Sequence, residues 1–450
     1  MSTLLPGSKD LYFLPLGGTG EIGMNMNLYG HDDHWLMVDC GVTFKDTLTP
    51  DSTELFDVIS ADPAFITAQS DKLCGLVLTH AHEDHVGAVA DLWPRLQCPV
   101  YTTRFTAEFL RRKLAQHSLL DRVPIIEVDS GATLDIGPFN VEWLPLTHSL
   151  PEPHALVIRT SAGNVFHTGD WKIDPQPVIG EPFDPTPFQA LGDGSIDAMV
   201  CDSTNANRPG RSLSEGACFA GLYEQVKTTE GRVIVGCFGS NIARLITLCR
   251  IAQETGRYVG LYGRSLQTMV STAKATGVWP ADCDIIDSRH LAYLPPREVL
   301  AIATGSQGEP RTALQRMATD SHYELDISAG DRVIFSAIVI PGNETSVENL
   351  VRLLKLKKVE VVMAADCETP IHASGHPSAD DVADLYRWVQ PRIAIPVHGE
   401  AEHMLANANI ARTSGVRKQL TGQNGDLFVI SGPGRVRKNA VSTGRIALRR

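Results

Sequence analysis

The chain has 450 residues, 43% of them hydrophobic and 20% charged, an ordinary globular composition long enough for two or three domains with separate cores. Its formal net charge of −12 excludes a protein that wraps nucleic acid through bulk positive charge, but not one with a local basic groove. The N-terminal stretch lacks a basic region followed by an apolar run, and nowhere do about 18–20 apolar residues follow one another, so the expectation is a cytoplasmic protein without a membrane span.

Residues 11–16 (LYFLPL) read as a strand. GGTGEIG follows, with Gly18, Gly20 and Gly23 in the G-x-G-x-x-G spacing of a dinucleotide fingerprint and Asp39 further on. That fingerprint needs a helix after the glycines. Here two strand-like runs flank a turn at His31-Asp32-Asp33, which predicts a β-hairpin and discounts the nucleotide site. Residues 73–79 form a buried strand that ends at a histidine cluster. HVGAVADLWPRL and TAEFLRRKLAQHSLL read as one helix each, with strands at 124–128, 141–146, 155–160 and 164–167 and another in IDAMVCDS. From about residue 207 the texture changes. Helical runs at 216–228, 241–256, 265–276 and 346–357 alternate with short apolar strands, the pattern of a mostly parallel sheet. A helix at 378–389 and several short strands close the chain. The expected organisation is a first segment over 1–206, a second domain over 207–370, and a returning segment over 371–450.

The basic residues after 411 are Arg412, Arg417, Lys418, Arg435, Arg437, Lys438, Arg445, Arg449 and Arg450, against a single Asp426. They read either as a solvated basic tail or as an arm that touches phosphate. The nine cysteines include no C-x-x-C pair, and most sit in apolar runs, which suits small buried hydrophobes of a reducing compartment.

The chemistry concentrates in THAHEDH, which places His80, His82, Asp84 and His85 within six residues. On an extended segment His80 and His82 point the same way, and a turn into the next helix brings Asp84 and His85 to a neighbouring point. One short loop can thus serve two metals, and imidazole and carboxylate suit zinc, with manganese as the alternative. His148, Asp170 and His398 each follow an apolar run and complete two sets. His80, His82, His148 and Asp170 take the first metal. Asp84, His85, Asp170 and His398 take the second, with Asp170 bridging. Asp39, at the end of LMVD, is expected to orient a ligand histidine. Such a pair activates water for hydrolysis, and Asp84 can accept its proton as well as bind metal.

PLGGTGEIGMN, VDCG, LTHAHEDHVGA, THSLP and HTGDWKID resemble the metallo-β-lactamase motifs in the form used by β-CASP nucleases. CDSTNA supplies Asp202 (motif A), HASGH supplies His372 and His376 (the latter motif B), and PVHGE supplies His398 (motif C). CFGSNIARL and ATGSQGEPRTAL resemble the ribonuclease J branch. The resemblance implies an αββα metallo-β-lactamase sandwich, an α/β fold split by an inserted β-CASP domain. It implies a two-metal ribonuclease acting 5′-to-3′ on single-stranded, 5′-monophosphorylated RNA, with endonuclease activity as well. Asp84, Asp202 and His376 would be catalytic, His376 contacting the scissile phosphate or protonating the leaving 3′ oxygen. His372 and Ser374 would sit beside the RNA backbone, and Ser240, Asn241 and Arg244 near a 5′-phosphate pocket. His154 reads as a rim residue, and Gly305 to Gly308 in GSQGE as a tight turn, with an anion nest as the alternative. Members of the branch carry a further C-terminal domain that supports dimers, and this chain stops near where it would begin, which weakens the expectation of a homodimer. Two other readings stand beside this one: a hydrolase of small esters or thioesters, and a non-catalytic RNA-binding subunit.

Overall fold

A computed structural model describes residues 4–44, 58–340 and 342–448. Its architecture follows from where the apolar runs fall. An eight-stranded sheet runs in the order 435–437, 427–429, 12–17, 26–31, 34–38, 73–77, 100–102 and 125–127. A seven-stranded sheet runs 418–419, 393–397, 198–202, 163–167, 154–160, 139–145 and 133–136. The two sheets share one core: Phe13, Tyr29, Leu36, Val38, Val77 and Phe428 of the first pack with Val141, Trp143, Leu156, Val165, Val200 and Ile395 of the second. Strands buried on both faces carry no alternation, which is why runs such as AMVCD and IAIPV read as continuous apolar segments. Helices cover both outer faces, Val89–Leu96 and Arg104–Gln116 on one side and Ala379–Val389 and Ala401–Thr413 on the other. The result is the αββα sandwich.

A third, all-parallel sheet of five strands runs 258–262, 299–303, 233–236, 332–335 and 360–363. It is the inserted α/β domain, and the chain then returns to complete the sandwich. Val429 pairs with Tyr12, and Ile393 pairs with Ala198.

The hairpin is present as Met26–His31 and His34–Val38, turned by Asp32 and Asp33 at φ of 46° and 60°. The glycines of GGTGEIG sit in the link between antiparallel strands Tyr12–Gly17 and Met26–His31, and no helix follows them. Three readings need correction. HVGAVADLWPRL is not one helix: Glu83–Val86 ends at Gly87, and Val89–Leu96 starts afresh. The basic C-terminal stretch is not a free tail. Lys418–Gln419, Leu427–Val429 and Arg435–Arg437 are strands of the two main sheets, and Arg445–Leu448 pairs with Val58–Ala61 in a small separate sheet. Lys438 binds Asp426 at 2.9 Å and Arg445 pairs with Glu21 at 2.5 Å. Arg449 and Arg450 lie outside the described residues. His154 is not on a rim: it is buried, its Nδ1 on the Glu152 carbonyl (2.9 Å) and its Nε2 on Ser130 Oγ (2.9 Å). Cys74 and Cys367 are half-buried, and the other cysteines are buried and unpaired.

Candidate metal centre

Strands 139–145, 163–167, 198–202 and 393–397 run parallel to one another in their sheet, so the residues just past their C-terminal ends gather on one edge. These are His148, Asp170, Asp202 and His398. From the facing sheet the strand Leu73–Val77 delivers His80, and the one-turn helix Glu83–Val86 brings Asp84 and His85. Two glycines allow the approach. A Cβ on Gly41 would lie 1.7 Å from the Asp84 carbonyl oxygen, and one on Gly375 would lie 2.5 Å from the His148 ring. Asp39 and His398 hold φ of 63° and 51°, left-handed backbone that costs a non-glycine residue on the order of 1–3 kcal/mol and clusters at functional sites.

Two sets of ligand atoms converge, each within 4.8 Å: His80, His82, His148 and Asp170, and then Asp84, His85, Asp170 and His398. In the first, His82 Nδ1 lies 3.1 Å from His80 Nε2 and 3.1 Å from His148 Nε2. Burial and the neighbouring imidazoles push His80 and His148 well below the ordinary histidine range, and burial brings His82 down to about 4. Three neutral rings thus crowd their nitrogens onto one point. In the second, Asp170 Oδ2 is 3.1 Å from His85 Nε2, and Asp84 Oδ2 is 3.2 Å from His398 Nε2. Burial opposes the charged forms of His85 and His398, but Asp170, with Asp84, Asp39 and Asp202, outweighs it and holds both well above the usual value. This seat draws positive charge.

The outward nitrogens test whether a cation fits. His80 Nδ1 meets Thr79 Oγ1 (2.9 Å), His85 Nδ1 meets Asp39 Oδ2 (2.7 Å), His148 Nδ1 meets the Gly375 carbonyl (2.6 Å), and His398 Nδ1 meets Thr204 Oγ1 (2.8 Å). Each ring is anchored on one side and turns its other nitrogen inward, the arrangement by which outer partners orient metal-ligating histidines. Unpaired lone pairs and carboxylates pointing at a common centre are costly to bury without a cation, and the donor set suits one.

Beside the two seats, Asp202 Oδ2 accepts from His376 Nδ1 at 2.8 Å. Burial opposes the charge on His376, and Asp202 and Asp170 outweigh it, raising its pKa. Asp202 Oδ1 accepts from Thr204 N (2.9 Å) and Oγ1 (2.8 Å). Asp170, Asp202, His376 and His398 also lie within 4.8 Å of one another, but the facing atoms of Asp202 and His376 already share a proton, so this group is a hydrogen-bonded dyad rather than a third seat.

The other expected residues stand apart. Ser374 Oγ accepts from Asn205 Nδ2 (2.8 Å) and from His376 N (3.2 Å), which shapes the turn before His376. His372 Nδ1 is buried without a partner among the described residues. Ser240 and Asn241 precede the helix Ile242–Thr255, and Asn241 Oδ1 caps it by accepting from Arg244 N at 2.9 Å. Arg244 corrects the expectation of a phosphate-facing charge. It is fully buried, its guanidinium bound to Glu215 Oε1 (2.6 Å), the Ile371 carbonyl (2.9 Å) and Ser336.

Sequence reasoning missed Thr79, Thr204, Gly375 and Asn25, whose Nδ2 reaches the Asp84 carbonyl (3.1 Å) and His85 Nε2 (3.1 Å). All sit inside or beside the conspicuous motifs, but their residue types carry no ligand signal of their own.

Residues 20–192 match the family description "Metallo-beta-lactamase superfamily", 230–354 match "Ribonuclease J, beta-CASP domain", and 360–419 match "Zn-dependent metallo-hydrolase RNA specificity domain". The chain is 41% identical over 433 residues to a ribonuclease J of Sinorhizobium meliloti, covering 95% of this chain and 76% of that protein. It is 38% identical over 415 residues to a ribonuclease J of Mycolicibacterium smegmatis, covering 92% and 73%. Among solved structures, a protein of unknown function from Enterococcus faecalis V583 superposes with a TM-score of 0.62 at 15% identity, over 93% of this chain and all of that one, a likeness of fold.

Proposed function

The chain belongs to the ribonuclease J family, and on that premise we propose a cytoplasmic 5′-to-3′ exonuclease for 5′-monophosphorylated RNA that also cuts internally. The coarser statement is plain: the chain is a metal-dependent ribonuclease. The observation that supports the reading is the ring of histidines anchored from behind, with their other nitrogens converging on one another and on Asp84 and Asp170, and the Asp202–His376 dyad on its flank.

In this reading the chain holds two divalent ions, zinc or manganese. His80, His82, His148 and Asp170 take one, and Asp84, His85, Asp170 and His398 the other, with Asp39 orienting His85. When bound, such a pair supplies activated water and stabilises negative charge developing on the phosphate. Asp84, half-exposed at the edge of its seat, accepts the proton of the attacking water. His376 uses Nδ1 to hold Asp202, which leaves Nε2 to contact the scissile phosphate or to protonate the leaving 3′ oxygen. His372 and Ser374 border the RNA backbone. Ser240, Asn241 and the start of helix Ile242–Thr255 border the 5′-phosphate, with Asn241 Oδ1 already committed to capping Arg244 N.

The test is digestion of end-labelled RNA bearing 5′-monophosphate, 5′-triphosphate or 5′-hydroxyl, with zinc or manganese present and His80→Ala as control. The monophosphate should be degraded fastest and the His80 variant should be inert. Equal rates on all three ends remove the 5′-pocket, and no cleavage of any substrate removes the reading.

A further inference from the structure

Arg244 and Glu215 are both fully buried, and the site described so far uses neither. Their connections can be followed in both directions. Glu215 N donates to Asp174 Oδ2 (2.9 Å), and Ser214 Oγ donates to Asp174 Oδ1 (2.6 Å). Asp174 pairs with Lys172 Nζ (2.8 Å), and Lys172, itself fully buried, also donates to the Leu213 carbonyl (3.1 Å). Lys172 N donates to the Thr147 carbonyl (2.9 Å), and Thr147 Oγ1 donates back to the Lys172 carbonyl (2.6 Å). Thr147 precedes His148, and Lys172 follows Asp170 by two residues. In the other direction, Arg244 Nη1 donates to the Ile371 carbonyl (2.9 Å), which also accepts from Ser336 Oγ (2.7 Å). Four residues on, the Gly375 carbonyl accepts from His148 Nδ1 (2.6 Å).

The path closes on itself. It leaves the metal seat through Thr147 and Lys172 and passes by Asp174 and Glu215 along the segment that leads into the inserted domain. It crosses that domain at Arg244 and Ser336, and returns through residues 371–375 to His148. We propose that Arg244 and Glu215 are a positioning pair: by holding the Ile371 carbonyl they set residues 372–376, and with them His376 and the Gly375 carbonyl, at the correct height over the metal seat. A surface charge would serve RNA binding, but a guanidinium with no exposure can reach no phosphate. Its planar fork instead fixes several acceptors at once, which one ammonium cannot do. Rate is sensitive to such placement, since a displacement of about 1 Å can cost roughly a hundredfold.

The inference rests on the ribonuclease reading, and its test separates the two. Removing one partner alone strands a buried charge, so the informative variant replaces both, Glu215→Met with Arg244→Met, because a buried pair exchanged for apolar residues of similar volume commonly leaves stability intact. Ser336→Ala is the milder companion. We expect the folded double variant to lose about a hundredfold in kcat and Ser336→Ala about tenfold, with KM for RNA within about twofold in both. Arg244→Lys, which keeps the charge but gathers its donors on a single nitrogen, should recover part of the loss seen in the double variant. Metal affinity, read by competition with a chelating dye, should weaken severalfold in the double variant, because the acceptor of His148 Nδ1 moves. Wild-type kcat in a folded double variant overturns the proposal, and so does a raised KM at unchanged kcat, which would make Arg244 an RNA contact. If the double variant does not fold, Ser336→Ala decides by the same criterion. A wild type that cuts no RNA defeats the ribonuclease reading instead, and the pair then stands or falls on metal affinity.

Discussion

Two buried clusters of charge lie close together in this molecule and are built on opposite rules. Around Arg244, donors of the guanidinium meet Glu215 Oε1, Ser336 and the Ile371 carbonyl, and Glu215 Oε2 is left buried without a partner among the described residues. Around Asp170, outer partners hold one nitrogen of His80, His85, His148 and His398. The inward nitrogens of His80, His82 and His148 face each other at 3.1 Å with burial favouring their neutral forms, while those of His85 and His398 face Asp170 and Asp84. Both clusters bury polar atoms that water would otherwise solvate. In one, a cation of the protein itself, the Arg244 guanidinium, sits among its acceptors; in the other, imidazoles and carboxylates converge with no such protein cation at their centre. Burial of charge therefore does not by itself locate chemistry; the informative feature is an unpaired lone pair held in place from behind.

The sharpest way to break this contrast is to remove ligands from the open cluster. His80→Ala should lower cleavage on the order of a thousandfold or more while leaving the chain folded, measured by single-turnover digestion beside a thermal melt. A variant that still cleaves at near wild-type rate would show that the open cluster is not the reaction centre. The Arg244 cluster should answer in stability. Arg244→Ala leaves Glu215 charged and buried and should cost roughly 3–5 kcal/mol in urea unfolding; a loss below about 1 kcal/mol would mean that the pair is not buried as described.

Chelation should separate the two next. With free metal at about a hundred times its dissociation constant, one site contributes about 2.7 kcal/mol to the folded state, so chelator should lower the melting temperature by several degrees. No change would place the cation elsewhere. Asp39→Asn is a smaller perturbation. It keeps the shape and removes the charge that holds His85 Nδ1, and metal affinity should fall by about 10–100-fold in a calorimetric titration with the melting temperature of the metal-free protein nearly unchanged. Smallest of all, Arg445→Ala removes an ion pair with Glu21 whose arginine is 59% exposed, and should cost less than about 1 kcal/mol. A large loss of RNA binding in that variant would revive the phosphate-touching arm.

Much of this was legible before any coordinates. Four potential ligands in six residues argue against a bland surface loop, and strands that end in a lone polar residue marked His148, Asp170 and His398. The hairpin reading of GGTGEIG rested on the missing helix, a local signal, and the sheet bears it out. The failures share one cause. Arg244 sits near the start of a helix beside a phosphate-pocket motif, and nothing local says that Glu215, Ser336 and Ile371, between 29 and 127 residues away, close over it. His154 read as a rim residue because its partners are a backbone carbonyl and one serine. The basic C-terminal stretch read as a tail because its strands are two to four residues long and are recruited by sheets formed far upstream. HVGAVADLWPRL read as one helix because the break at Gly87 depends on the Asp84 turn packing against Gly41.

By itself, then, the amino-acid order marked which residues can bind a cation and where the texture of the chain changes, while the sandwich with an inserted domain came from the resemblance of its motifs. Residue chemistry and periodicity of two or about 3.6 are local properties. Which nitrogen of each histidine faces inward, and whether an arginine meets solvent or a buried glutamate, were decided only by tertiary structure. Each depends on a partner brought from the far side of a sheet or domain, and no spacing along the chain records that partner.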